Sequence, residues 1–271
     1  MIKNDIERLK AFLEHYRKLG VNQFAFLDDK STDGTKEFLL LQNDVELFAS
    51  SQNFFTNRKE AWLNRILAYY DFNRWYLVVD SDELLVYDDF ENRSLIQFIN
   101  LLEKDNVTAV SGMMVDMYSK EVNSSKKTNI YDGVDYFDKS GYFQKGYSRF
   151  IPNPTGGMRY RCFGLQITLG KTPLFFMDDK TVYHMHWLFP FEKNFQKDKS
   201  IALLHYKFLS GDVEKYKERV NRKCMNNDSE EYKQYMEKMD GEALIFFDEK
   251  VSEKFTSSQS LVENGLIEEV K

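Results

Sequence analysis

An α/β fold built on a doubly wound, mostly parallel sheet is the class this sequence predicts, on three observations. Short apolar runs alternate with segments of helical period through roughly the first 115 residues. Two of the apolar runs, Phe24-Ala25-Phe26-Leu27 and Trp75-Tyr76-Leu77-Val78-Val79, end directly in carboxylate clusters. The clusters are Asp28-Asp29-Lys30-Ser31-Thr32-Asp33-Gly34-Thr35 and Asp80-Ser81-Asp82-Glu83. The carboxyl ends of strands are where open α/β sheets bind their ligands.

The elements follow in order. Ile6, Leu9, Leu13 and Tyr16 recur at helical spacing, Asp5 is placed to cap them and Gly20 to stop them. A strand from about Asn22 to Leu27 leads into the first acidic loop, and Asp33-Gly34-Thr35 starts a second helix through Phe38 and Leu39. Val45–Phe48 reads as a strand, Arg58–Tyr70 as a helix with Trp62, Ile66 and Tyr69 inward, and Trp75–Val79 as a central strand. Ser94–Leu102 is a further helix and Val107–Met114 a further strand. Beyond Tyr118 the periodicity weakens. It returns at Lys193–Met225, read as a helix with Ile201, Leu204, His205 and Phe208 on one face, and at Glu230–Met239, a charged and solvated helix. Doubly wound folds place a strand before their first helix, yet only Met1 to Asn4 stand before this one. Either the first strand is missing from this chain or the sheet starts one strand later.

Composition narrows the function. Hydrophobic residues make up 42% and aromatics 15%, with 23 Phe and 16 Tyr, which excludes disorder for most of the length. A net charge of -6 disfavours a general nucleic-acid binder. Between Lys139 and Lys171, however, no acid occurs while Lys139, Lys145, Arg149, Arg159, Arg161 and Lys171 do, which marks a candidate anion site. The two cysteines, Cys162 and Cys224, are too few for a disulfide framework and fit a reducing cytoplasm. No apolar run approaches the roughly 20 residues of a membrane helix, so a cytoplasmic protein, at most peripheral to a membrane, is expected.

Carboxylates crowded at strand ends repel one another unless a cation joins them. Hard oxygen ligands suit Mg²⁺ or Mn²⁺, and these commonly bring a diphosphate. Asp80 and Asp82, one residue apart on an extended chain, face the same way, so that Asp82 binds the metal and Asp80 the ribose or a metal-bound water. The competing reading is a strand terminus that caps the next helix. Asp28, Asp29 and Asp33 form either a turn with an N-cap or a base and ribose pocket. His184 and His186, two apart, share a face if the segment is a strand, and His186 is the preferred candidate metal ligand. A histidine packed beside Trp and Phe is the competing reading, and His205, on the apolar helix face, is read as packing. Asp116 ends the apolar run Val110–Val115 and is the first candidate for a general base, with Asp178 and Asp179 as alternatives. Arg149, Arg159 and Arg161 are candidates for holding a leaving diphosphate or an anionic acceptor; Arg159 and Arg161 point the same way if extended.

With these residues in view, the chain resembles the glycosyltransferases of family two, which have the GT-A fold, and in particular a bacterial branch related to family ninety-two. The matching features are Lys3-Asn4-Asp5, Leu13-Glu14-His15-Tyr16 with Leu19-Gly20-Val21, the Asp29–Thr35 loop, Val79-Asp80-Ser81-Asp82-Glu83 and Val115-Asp116-Met117-Tyr118. Further on they are Lys171-Thr172-Pro173-Leu174, His184-Met185-His186-Trp187, Leu203-Leu204-His205-Tyr206-Lys207-Phe208, and Ser257-Ser258 with Leu261 and Gly265-Leu266. The departure is at the N-terminus, where members carry a strand that helps seat the nucleotide base. The resemblance implies a metal-dependent, inverting transferase that moves a sugar from a nucleotide-sugar donor, a UDP-sugar first, to a glycan or lipid-linked acceptor. Asp29 and Asp33 would contact the nucleotide, and Asp80 with Asp82 would form the metal-binding Asp-x-Asp. It further implies residues 1–190 as the catalytic domain, divided into a donor half at 1–118 and an acceptor half at 119–190, with 191–271 as a helical extension packed on it. Bacterial surface-polysaccharide synthesis at the cytoplasmic membrane face is the implied setting. The rivals are a non-catalytic nucleotide-sugar-binding domain and a nucleotidyltransferase; the latter would want a Gly-rich basic loop, and none is present.

Overall fold

The computed structural model describes residues 1–52, 54–120, 129–144, 153–194, 199–209, 211–223, 225, 229–239 and 244–270. It is an α/β structure. Helix α1 (Ile6–Lys18) buries Leu9, Leu13 and Tyr16 of the face its spacing predicted, with Phe12 beside them and Ile6 half-buried, and Gly20 closes it in the left-handed region at φ 94°. Strand β1 (Phe24–Asp28) and strand β2 (Val45–Ala49) pair in parallel, with helix α2 (Thr35–Leu40) crossing between them. Helix α3 (Thr56–Tyr69) leads to strand β3 (Arg74–Leu77), and strand β4 (Glu83–Val86) follows directly. Helix α4 (Leu95–Lys104) starts on a full capping box, in which the Ser94 side chain accepts from the Gln97 amide and Gln97 reaches back to the Ser94 amide.

The second half supplies strand β5 (Ala109–Asp116), the short strands β6 (Tyr136–Asp138), β7 (Tyr142–Gln144) and β8 (Pro154–Gly156), helix α5 (Gly157–Phe163) and strand β9 (Gly170–Met177). A hairpin of β10 (Val182–His184) and β11 (Trp187–Phe189) comes next, then strand β12 (Ile201–His205). Helices α6 (Asp212–Arg222) and α7 (Glu230–Met239), strand β13 (Ser252–Lys254) and helix α8 (Ser258–Glu263) complete the chain.

The central sheet has the order β3-β9-β5-β12-β4. It is mixed rather than mostly parallel. Only β5–β12 pairs in parallel within it, while β3–β9, β5–β9 and β12–β4 are antiparallel. The sequence reading assumed a helical crossover between successive strands, whereas the ladder neighbours of this sheet are far apart in sequence and three of the four pairs run in opposite directions. The helix expected over 193–225 is also corrected at its start: residues 201–205 form β12, every one of them buried. A strand flanked on both sides loses its alternation and becomes a continuous apolar run, which periodicity alone does not separate from a buried helix. Likewise α7 is not fully solvated, because Tyr232 and Tyr235 sink into a second core with Tyr118, Phe163, Phe208 and Tyr216. In α3, Tyr69 is exposed rather than inward, whereas Trp62 and Ile66 are half-buried. Among the described residues no helix is long and apolar enough to cross a membrane.

Candidate functional site

Strand register sets the site. The end of β12 places His205 opposite Asp116 at the end of β5 and opposite Glu83 at the start of β4. The turn after β3 carries Asp80, Ser81 and Asp82 to the same edge, where the backbone amide of Tyr206 donates to the Asp82 carbonyl at 2.7 Å. Three stretches distant in sequence, 80–83, the end of β5 and the end of β12, thus bring their polar groups together at one edge of the sheet.

Two linked charge networks occupy that edge. In the first, Lys59 Nζ lies 2.6 Å from Asp80 Oδ1, Lys171 Nζ 3.4 Å from Asp80 Oδ2 and 2.7 Å from Glu83 Oε2, and Glu83 accepts the Asp80 amide at 2.8 Å. Lys171 and Glu83 are almost wholly buried, and their mutual proximity, with that of Asp80, holds Lys171 charged despite burial. In the second, Asp116 takes Arg159 Nε at 2.7 Å on one oxygen and His205 Nδ1 at 2.6 Å on the other. His205 Nε2 then points toward Asp82 Oδ2, 3.6 Å away. Burial works against ionisation of Asp116, but Arg159 and His205 outweigh it and draw its carboxyl down to about 2. Asp82 is likewise held far below the usual carboxylate range by His205 and Arg8 against the cost of burial, and His205 is raised by its two carboxylates.

Exposure grades along this chain. The side chains of Arg159, Asp116 and His205 are 2%, 3% and 6% exposed, whereas Asp82 and Asp80 are 23% and 32% exposed, so the network opens to solvent at the Asp-x-Asp. Arg159 Nη2 is buried with no hydrogen-bond partner among the described residues.

The other predicted residues separate into groups. Asp28 accepts the Ser31 amide, and Asp33 accepts the amides of Thr35 at 3.0 Å and Ile6 at 3.3 Å, so both stitch turns. Asp29 is 6% exposed; it accepts from Phe54 N at 3.3 Å and pairs with Arg222 at 3.0 Å, which ties α6 to the first acidic loop. Asp5 does not cap α1 with its side chain but binds Arg8, Lys215 and Ser81. His184 and His186 do not share a face: Met185, at φ 53°, turns the β10–β11 hairpin between them. His184 approaches Glu60 at 3.6 Å, while His186 is drawn down to about 3 by burial, then Lys171 and Lys59.

Arg159 and Arg161 sit on a helix rather than an extended segment, and two residues on a helix diverge. Arg159 accordingly reaches Asp116, and Arg161 forms a fork with Asp138 at 2.7 and 3.0 Å and donates to the Phe246 carbonyl at 2.7 Å. Arg149 lies outside the described residues. The acid-free stretch is therefore not simply an anion surface: Arg159, Arg161 and Lys171 are spent on acids from elsewhere in the chain. Asp178 binds Thr181 and Lys193 in the turn after β9, and Asp179 adjoins it. Because β9 runs antiparallel to β3, that turn stands beside Arg74 at the far end of β3 from Asp80 and Asp82.

Sequence reasoning missed three participants. His205 was hidden by the reading of its strand as a helix. Lys59 is one of many helical lysines and carried no signal. Lys171 was visible in the basic stretch and in Lys171-Thr172-Pro173-Leu174, but without a role at the Asp-x-Asp.

As a test of fit for a divalent ion, no three His, Cys, Asp or Glu side chains form a ready cage among the described residues. The site does present Asp82, solvent-reachable, beside a histidine whose other ring nitrogen is fixed by a carboxylate, the outer-shell arrangement of many metal histidines. Mg²⁺ and Mn²⁺ need few protein ligands when phosphate oxygens supply the rest, and this donor set fits that case. No protein-family model matches the chain, and no curated protein matches it.

Proposed function

We propose that this chain is a metal-dependent glycosyltransferase that moves a sugar from a nucleotide-diphosphate donor, a UDP-sugar first, to a glycan or lipid-linked acceptor. The observation that carries the reading is the chain Asp82, His205, Asp116, Arg159, buried at one end and open at the Asp-x-Asp, where a diphosphate and its cation would enter. Asp82 and His205 would hold the ion, with Asp80 beside them, and when bound it would neutralise charge on the departing diphosphate. Lys59 and Lys171 already present two ammonium groups to Asp80; on ligand entry either can turn to phosphate oxygens. Asp116 acts here as a positioning residue. Both its oxygens are engaged and its pKa is depressed, which suits orienting His205 rather than taking a proton from an acceptor hydroxyl.

A second reading, favoured by the two lysines at Asp80, is diphosphate binding without a metal. Calorimetric titration with UDP and UDP-sugars, with and without Mn²⁺, tests both. The expected result is binding that needs Mn²⁺ and falls at least tenfold in Asp82→Asn. Equal binding in EDTA, lost instead in Lys171→Met, would replace the metal with the lysines; no binding by a folded chain would defeat the transferase proposal.

A further inference from the structure

Helix α6 divides its surface three ways. Tyr216 and Val220 pack into the second core, whereas Glu214, Lys217 and Asn221 are exposed. The remaining face carries Lys215, Arg219 and Arg222, spaced four and three residues apart and therefore aligned along one side of the helix, each half-buried.

That row of cations lies against the acidic loops at the sheet edge. At one end Lys215 binds Asp5, which also accepts from the Ser81 hydroxyl of the Asp-x-Asp turn at 2.6 Å. At the other end Arg222 reaches Asp29 of the first acidic loop at 3.0 Å, and Glu218 beside it pairs with Lys3, also at 3.0 Å. Arg219 stands between these anchors on the helix. Its guanidinium donates to the Tyr232 hydroxyl at 2.6 Å and lies 4.9 Å from the centre of that ring, which seats it on α7. Burial works against its charge, but Tyr232 and then Asp82 outweigh burial and raise its pKa, so that it stays cationic.

The two carboxylates of the Asp-x-Asp are thus served from different elements. Lys59 and Lys171 meet Asp80, whereas Asp82 has His205 at 3.6 Å and the charge of Arg219 from α6. A diphosphate brought to this edge carries charge on both phosphoryl groups, so cations on the Asp80 side alone neutralise only part of it. A planar guanidinium fork can grip two phosphoryl oxygens at once, which an ammonium cannot.

We propose that α6 is one wall of the donor site and that Arg219 is a diphosphate-binding residue, its ligand being the diphosphate of a nucleotide donor. This rests on the donor site proposed at Asp80 and Asp82, and it adds a ligand from the C-terminal helices. Lys215 and Arg222 hold α6 in place through Asp5 and Asp29. The Tyr232 ring keeps the Arg219 guanidinium seated while its edge turns to phosphoryl oxygens.

Calorimetric titration with UDP, inorganic pyrophosphate and uridine, each with Mn²⁺, tests this on the full chain and on Arg219→Gln, Arg219→Lys and Lys217→Gln. In Arg219→Gln, UDP and pyrophosphate should bind at least tenfold more weakly, the scale of one charge-assisted contact, and uridine should be unchanged. Lys217→Gln removes the same charge from the exposed face and should leave all three affinities as they are. Unchanged diphosphate binding in Arg219→Gln overturns the inference while the donor site at Asp82 stands. Equal weakening of UDP and uridine also overturns it, by showing that Arg219 only supports the fold. If Arg219→Gln lacks native circular dichroism, Arg219→Lys decides by the same comparison: the lost fork should weaken UDP but not uridine, and equal affinities would overturn the inference. Pyrophosphate binding that depends on Arg219 in a chain that ignores UDP would defeat the nucleotide reading and keep the diphosphate site. A folded parent chain that binds neither ligand defeats both.

Discussion

The two flanks of the central sheet differ in how completely their apolar residues are buried. On one flank β12 lies between β5 and β4, and Leu203, Val115 and Leu85 have no exposed surface. On the other, β3 carries Trp75, Tyr76 and Leu77 only half-buried. Residue types on the two flanks are similar. What differs is the cover: β4, with β12 as its ladder neighbour on one side, is wholly buried because Tyr16 and His15 of α1 lie against it, so burial here is decided by what covers a strand more than by local hydrophobicity.

That contrast can be broken or sharpened by measurement. The largest effect is expected at the bottom of the closed flank, where Arg159→Met strands the Asp116 charge with a single partner. A loss of about 3–5 kcal/mol in denaturant unfolding is expected, and a loss below about 1 kcal/mol would show that the pair is solvated. Next comes a matched pair of truncations. Leu85→Ala, in the closed flank, should cost about 3 kcal/mol, and Leu77→Ala, in half-buried β3, about 1 kcal/mol. Equal costs would erase the distinction between the flanks. The third effect is on pH. His15, whose Nε2 lies 2.9 Å from the Leu85 carbonyl, is drawn down to about 4 chiefly by burial. Its folded pKa lies below the unfolded value of about 6.5, so its stabilising contribution is complete above that value and is lost as pH falls toward 4. Between pH 7.5 and pH 5 the chain should lose about 2 kcal/mol on this account. His186, also depressed, adds in the same direction, and His205, raised, works against both. The His15→Gln variant isolates the first contribution: its pH dependence should be flatter than that of the parent, and an unchanged slope would show that His15 does not titrate in this window.

Much of the first half was legible in the sequence. The spacing of Leu9, Leu13 and Tyr16, Gly20 as a stop, and the helix expected from Ser94 onward are local signals, and local structure obeyed them. Asp80, Asp82 and Asp116 were found because strand ends are recognisable from the apolar runs that precede them. What failed was long-range. That β9 enters between β3 and β5, and β12 between β5 and β4, depends on pairings across tens of residues, and nothing in a window of helical or strand length encodes it. His205 was misread for that reason, and with it the partner that links Asp82 to Asp116. Arg159 and Arg161 were misjudged through a shorter error, an extended segment assumed where a turn of helix forms.

The position of β12 also bears on the order in which the protein takes shape during synthesis. Residues 201–205 supply the strand that holds β5 and β4 together, although both partners have left the ribosome roughly 85 or more residues earlier. Until then Leu85 and Val115 have no sheet neighbour on that side, and the contacts that bury them carry a high loop-closure cost. The nascent chain therefore passes through a long interval with apolar strand edges uncovered, the condition under which chaperone engagement competes with folding.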